Sequence, residues 1–308
     1  MKEKILAILS KSAEALSGQR LSEQLGVSRV AVWKQIQRLK EEGYSIEASP
    51  KGYRLLNELD DLFPWAVNIP HWHIHYYPET SSTMDTAREL AQNGCPDQTV
   101  IVAKKQTGGR GRLERKWVSD DGGLFFSLIL RPKEAAIYSF RFNFLISLAV
   151  MDTLAAYGIH TNSKWPNDVL VDGKKICGIL SEMQTQGEYS LYVSIGVGIN
   201  INNPVSAEVE TATSLCELLG EKVSKTKFFQ RFFGHLGHWM NQEISDIVRK
   251  WKEKAVLLGT PVRVETGSHV VCGTAIDVDD MGALLVETPS GQKERIFYGD
   301  CFSQPLSV

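Results

Sequence analysis

The sequence predicts an α+β protein in three parts, on three observations. Residues 1–56 carry helix-period apolar spacing and then a hairpin-type turn. Residues 66–255 alternate strand-like and helix-like runs around an Asp172-Gly173 turn. Residues 256–308 hold only short strand-like runs. With 308 residues and 43% hydrophobic content the chain can bury more than one core. The expected domains are 1–60, 66–255 and 256–308.

In the first part Ile5, Leu6, Ile8, Leu9, Ala13 and Leu16 fall at helical spacing. A short helix is expected around 21–25, then a tight turn at Gly26. Ser28 is placed to cap the next helix, which should run to Glu42 and stop at Gly43. Ser49-Pro50-Lys51-Gly52, between Ile46 and Tyr53, reads as the tip of a β-hairpin wing, and polar residues 57–61 suit a linker. Together these make a winged helix-turn-helix.

The middle part should contain strands over 99–105, 124–130, 176–183 and 191–197. Helices are expected over 82–92, ended by Asn93-Gly94, and over 141–156, ended by Gly158. Thr213 could cap a short helix, and 225–254 reads as partly helical. Because Asp172-Gly173 joins adjacent strands, the sheet must be at least partly antiparallel, with helices mainly on one face. In the last part, strands over 261–265, 270–277, 283–287 and 294–298 suggest a small barrel.

Composition removes several classes. The net charge of −2 points to no global attraction for nucleic acid. No apolar run of about 18 residues occurs, so no membrane span is expected, and the first residues do not read as a signal peptide. The five cysteines are scattered without a CxxC pair, which suits buried packing in a reducing, cytoplasmic setting. His71, His73 and His75 alternate as on one strand face, and His235 and His238 share a helix face. Both sets read as structural, so no metal site is expected from a protein cluster. Trp239 and Trp251 read as core.

Local charge differs from the global balance. If Val32, Ile36 and Leu39 face inward, the second helix of the helix-turn-helix presents Arg29, Val30, Trp33, Lys34 and Gln37. Between residues 18 and 54 seven basic residues face four acids. Ser28, Arg29, Trp33, Lys34 and Gln37 are the candidate DNA-contacting set, with Lys51 on the wing meeting phosphate. A winged helix used for protein contact is the alternative. From Gly259 onward three basic residues face seven acids, so the last part should not touch nucleic acid.

Three runs carry the candidate chemistry. Residues 104–117, KKQTGGRGRLERKW, place six basic residues and three glycines between strands. Such a loop can wrap an anion. It is neither a Walker A loop nor a dinucleotide fingerprint, since Glu114 stands where the latter needs glycine. A solvated basic loop or an RNA-binding loop remains open at this point. Lys164-Trp165-Pro166-Asn167-Asp168 precedes Lys174-Lys175-Ile176-Cys177-Gly178, where Lys174 suits the turn and Lys175 is the better candidate to hold an anion. Gly196-Val197-Gly198-Ile199-Asn200 allows close backbone approach.

Residues 109–117, 164–168, 175–180 and 196–200 resemble the motifs of biotin protein ligases, and the helix-turn-helix and wing resemble those of the bifunctional ligase–repressor class. The resemblance implies a catalytic central domain, a C-terminal SH3-like β-barrel, and ATP and biotin as substrates with Mg²⁺. Ser82 and Thr83 would meet the biotin head group, beside Met84 where the family commonly has Asn, and Gln106 would line the same pocket. Arg110, Gly111 and Arg112 would cover biotin and phosphate. The family's Arg-Gly is replaced by Leu113-Glu114, which should stiffen the loop. Lys175, with Arg110 and Arg112, would be catalytic, and Asp168 and Asn200 would lie on the nucleotide and metal side. The implied partners are a biotin carboxyl carrier protein domain, operator DNA and a second copy in a ligand-promoted homodimer. A ligand-sensing regulator without catalysis and a lipoate-type ligase are the alternatives. Lys175 with an intact Arg110–Arg112 loop opposes the first, and residues 109–117 oppose the second.

Overall fold

Ile5, Leu6 and Leu9 turn inward from α1 (Lys2–Ser10) against Leu21 of α2 (Gly18–Leu25) and Val32, Ile36 and Leu39 of α3 (Arg29–Glu41). Ser17 caps α2 by accepting the Arg20 N–H, Gly26 ends it at φ 65°, and Ser28 accepts the Ala31 N–H at 3.2 Å. The wing is an antiparallel pair, β1 (Ser45–Ser49) and β2 (Gly52–Asn57). Leu16 is not helical as its spacing suggested. Ser17 must be extended to cap α2, and Leu16 instead exchanges two backbone hydrogen bonds with Tyr53.

The structure, a computed structural model, describes residues 1–12, 14–41, 44–57, 62–64, 66–132, 140–205 and 209–303. The expected helical position of Ala13, the stop at Glu42-Gly43 and linker residues 58–61 lie outside these. The chain forms two units, Met1–Asn68 and Ile69–Val308.

The second unit begins with β3 (His73–Thr80), α4 (Thr83–Gln92), β4 (Thr99–Gln106), β5 (Leu124–Leu130) and α5 (Arg141–Ala155). Next come β6 (Asn162–Lys164), β7 (Asp168–Val171), β8 (Lys174–Gln186) and β9 (Tyr189–Ile199), then α6 (Leu215–Leu219), α7 (Lys225–Met240) and α8 (Ile244–Lys252). The seven strands lie in the order β3-β4-β5-β9-β8-β7-β6. Only β3 and β4 pair in parallel, and Asp172-Gly173, both at positive φ, closes the β7–β8 hairpin.

Strand alternation assigns the two faces. Phe126 packs on Phe229 and Phe232 of α7, and Ser181, on the same face, bonds Asn143 of α5. Ser127 and Ile129 point the other way, to Thr83 and Ala87 of α4. So α5 and α7 back one face, with α8 packed on α5 through the stacked Phe144 and Trp251 rings. α4 alone of the longer helices takes the opposite face.

β10 (Pro261–Glu265), β11 (Val270–Val278), β12 (Leu284–Glu287), β13 (Lys293–Ile296) and β14 (Asp300–Ser303) form an antiparallel sheet ordered β13-β12-β11-β10-β14. β14 was not foreseen, and the strand expected to reach Tyr298 stops at Ile296, leaving Phe297 and Tyr298 exposed. Other expectations change too. Ser214, not Thr213, caps α6 through a capping box with Glu217. His71 sits at φ 71° before β3, so only His73 and His75 share the strand. Cys272 is exposed, whereas Cys177 and Cys301 are buried. Trp239 and Trp251 are buried as expected. Among the described residues no helix is long and apolar enough to cross a membrane.

Candidate active site

On the α4 face of the sheet lies a cavity of about 270 Å³. Ser82, Thr83, Met84, Gln106, Arg110, Gly111, Arg112, Asp168, Lys175 and Asn200 all line it, from five separate stretches of chain.

Its near wall is the N-terminus of α4. Ser82 caps the helix through Met84 N, and the Thr83 N–H donates to Gln106 Oε1 at 2.7 Å while Gln106 Nε2 donates to Ser119 at 2.9 Å. Gln106 thereby ties β4 to the helix start. Met84 is buried and packs on β9, where a Cβ at Gly196 would stand 2.8 Å from Met84 Cγ. Met84 thus fills this corner of the cavity with apolar surface.

The floor is formed by β8 and β9. Gly178 and Gly198 are register partners, and the Trp117 indole lies on them. A Cβ at Gly198 would come within 2.6 Å of that ring. Lys175 Nζ sits 2.6 Å from Asp168 Oδ1 and 5.3 Å from the Trp117 ring centre. Asn200 lines the wall, but both ends of its amide are engaged, donating to Thr213 O and accepting from Asn203. Among the described residues no three His, Cys, Asp or Glu side chains group as a metal site. With Asp168 held by Lys175 and the Asn200 amide occupied, the wall does not fit a resident metal ion.

The roof is the basic loop. Gly111 N donates to Arg115 O, and Trp117 N to Gly109 O, which closes it as a tight hairpin. Leu113 and Glu114 both have positive φ, 53° and 56°. Such backbone strains side-chain-bearing residues. Three arginines fasten the roof. Arg110 donates twice to Asp85, at 2.9 and 2.7 Å, with Glu182 at 3.6 Å. Arg112 donates to Gly299 O at 3.0 Å, and Arg115 pairs with Asp300. The Arg110 hydrogen bond holds the Asp85 carboxyl below its ordinary range, and burial lowers Arg112 from its ordinary value. Cys177, beneath the site, is pushed up by burial.

Arg110 lines the cavity with its guanidinium engaged by carboxylates, which makes it the loop's anchor. Arg112 and Lys175 also line the cavity, Arg112 held by a hydrogen bond to a neutral carbonyl and Lys175 paired with Asp168. The sequence reading missed Asp85, Asp300 and the role of Trp117. A carboxylate in a helix's first turn reads as a dipole partner. Asp300 stands in a tail whose acidity suggested only that nucleic acid is excluded.

On the first unit, Arg29, Val30, Trp33, Lys34 and Lys51 are exposed, and Gln37 is half-buried. Ser28 is occupied as the cap, and Arg54 pairs with Glu47 at 3.0 Å.

The structure thus defines a winged helix-turn-helix on one chain with a mixed-sheet domain whose arginine-fastened glycine loop roofs a cavity lined by Lys175 and Arg112. Residues 76–200 match the model of the biotin/lipoate A/B protein ligase family, 2–54 an HTH domain, and 257–303 the biotin protein ligase C terminal domain. The chain is 39% identical to the bifunctional ligase/repressor BirA of Bacillus subtilis (strain 168), over 97% of this chain and 98% of the relative. It is 32% identical to the biotin–[acetyl-CoA-carboxylase] ligase of Paracoccus denitrificans, over 71% of this chain and 98% of the relative. The biotin protein ligase from Aquifex aeolicus in complex with biotin and ATP superposes with a TM-score of 0.65 at 28% identity, covering 75% of this chain and 98% of that one. The chain belongs to the biotin protein ligase family, in its bifunctional ligase/repressor group.

Proposed function

We propose that this protein joins biotin to ATP as biotinyl-5′-AMP, transfers the biotin to a lysine of a biotin carboxyl carrier protein, and represses transcription with the adenylate as corepressor. The observation that carries the reading is the convergence of Lys175, Arg112 and the glycine loop on one cavity. In the first step a biotin carboxylate oxygen attacks the α-phosphorus of ATP and pyrophosphate leaves, so two anions must approach. The Lys175 ammonium and the Arg112 guanidinium offset that repulsion in a partly desolvated site. Mg²⁺ enters with ATP as part of that substrate. In the second step the acceptor amine attacks the anhydride carbonyl and AMP leaves. The roof excludes the water that would otherwise hydrolyse the adenylate.

Incubation with biotin, ATP and Mg²⁺ followed by mass spectrometry should find bound biotinyl-5′-AMP. Its absence would sink the ligase reading and favour a sensor without catalysis. The division into domains at 1–60, 66–255 and 256–308 belongs to the same proposal. Removing residues 1–60 should abolish DNA binding and leave substantial ligase activity. Because one winged helix reads only a short half-site, repression calls for a two-fold dimer on a two-fold operator. Ordering the roof over the adenylate lowers the cost of pairing two copies. Sedimentation equilibrium with a non-hydrolysable adenylate should show tighter dimerisation, and an unchanged constant would remove that coupling. The setting is the cytoplasm, where ATP, carboxylase and operator meet.

A further inference from the structure

α3 presents an apolar pair on a charged surface. Val32, Ile36 and Leu39 fill the core, yet Val30 and Trp33 remain 62% and 51% exposed. They stand three residues apart, hence on one stripe of the helix, near its N-terminal end. Arg29 and Lys34 flank them in sequence, and both are exposed. In a helix-turn-helix that end of the second helix meets base edges.

The local charge excess between residues 18 and 54, seven basic residues to four acidic, favours DNA over another protein surface as what covers this stripe. Phosphates and most base edges offer oxygen and nitrogen to their partners. The carbon surface that sequence places in the major groove is the C5-methyl of thymine. An indole with an adjacent valine cannot form bidentate hydrogen bonds to guanine or adenine, but it can cover methyl groups.

We infer that Val30 and Trp33 read thymine C5-methyl groups, so the protein selects duplexes with thymines at fixed half-site positions. The inference rests on the DNA-reading proposal and adds its base chemistry. Arg29, Lys34 and Lys51 then supply phosphate attraction and register, while the apolar pair supplies discrimination.

Full-length protein with biotin, ATP and Mg²⁺ is used to enrich duplexes from a random pool. The enriched duplex is then made with thymidine or with deoxyuridine, which pairs identically but lacks the methyl. Deoxyuridine should weaken binding about fourfold for each methyl that Val30 or Trp33 covers, the effect of burying one CH₂-sized group. Restoring thymidine one position at a time should locate the contacts. Trp33→Ala should bring the thymidine-to-deoxyuridine ratio toward one without changing the salt slope, since no phosphate contact is lost. Equal affinity of the wild-type protein for the two duplexes would overturn the inference, as would a Trp33→Ala variant that keeps the full ratio. If no duplex is enriched over the random pool, the DNA-reading proposal itself fails, and this inference with it.

Discussion

The floor and the roof of the cavity are held by different kinds of force. The floor is a hydrogen-bonded ladder in which Gly178 pairs with Gly198 and Leu180 with Gly196, and side chains press directly on the backbone. The roof is fastened by Arg110, Arg112 and Arg115 to partners outside the loop, and its tip holds Leu113 and Glu114 at positive φ. Displacing the floor would break a buried sheet. Releasing the roof breaks the half-buried Arg110–Asp85 and Arg115–Asp300 pairs and the Arg112 hydrogen bond to Gly299 O, and returns those groups to water. One cavity therefore combines a floor of sheet backbone with a roof held by side-chain contacts.

The largest expected effect is at the cation between the two. Lys175→Ala should slow single-turnover adenylate formation by about 10²–10³-fold, as for removal of one preorganised charge stabiliser. A near-normal rate would take Lys175 out of the chemistry.

Arg112→Gly tests the roof. Loss of a charge-assisted contact should let the adenylate escape tens of times faster, seen as biotin labelling of a bystander protein with exposed lysines. Labelling confined to the proper acceptor would mean that the roof does not retain the intermediate.

Gly198→Ala tests the floor. The added methyl meets the Trp117 ring, so adenylate binding should weaken about tenfold, within the range for overpacking. Calorimetric titration that finds unchanged affinity would show that the indole moves freely with the roof.

Asp85→Asn should loosen the roof only a few-fold, because the pair is partly exposed. Faster tryptic cleavage after Arg112 and Arg115 is the measure. The Asp85 carboxyl is depressed by Arg110 below its ordinary 3.8. Its stabilising contribution is therefore complete above that value and lost as pH falls below it. Protection of the Gly111 and Trp117 amides, relative to their intrinsic exchange rates at each pH, should fall in that acid window for the wild type and not for the variant.

Glu114→Gly should have the smallest effect. It relieves a left-handed residue, worth about 1 kcal/mol, and should raise the melting midpoint by about 2 °C. A lower midpoint would show that the Glu114 side chain contributes more than its backbone costs.

The residues that line the cavity were named through the family resemblance, whereas the sequence by itself determined the α+β organisation, the inward face of α3 and the β7–β8 turn. These follow from local periodicity and turn chemistry. Val32, Ile36 and Leu39 must share a face whatever they pack against, and Asp172-Gly173 turns the chain wherever the hairpin lies. The positive φ angles at Leu113 and Glu114 were not legible in the sequence. What only the tertiary structure decided is how each cation is used. Arg110, Arg112 and Arg115 look alike in the run GRGRLER, yet one grips Asp85, one a backbone carbonyl 187 residues away, and one Asp300. Their partners belong to a helix and a sheet remote in the chain, and an ion pair has no period from which to read it. Whether a guanidinium anchors the roof or faces the ligand depends on which carboxylate the packing of those distant elements brings within reach.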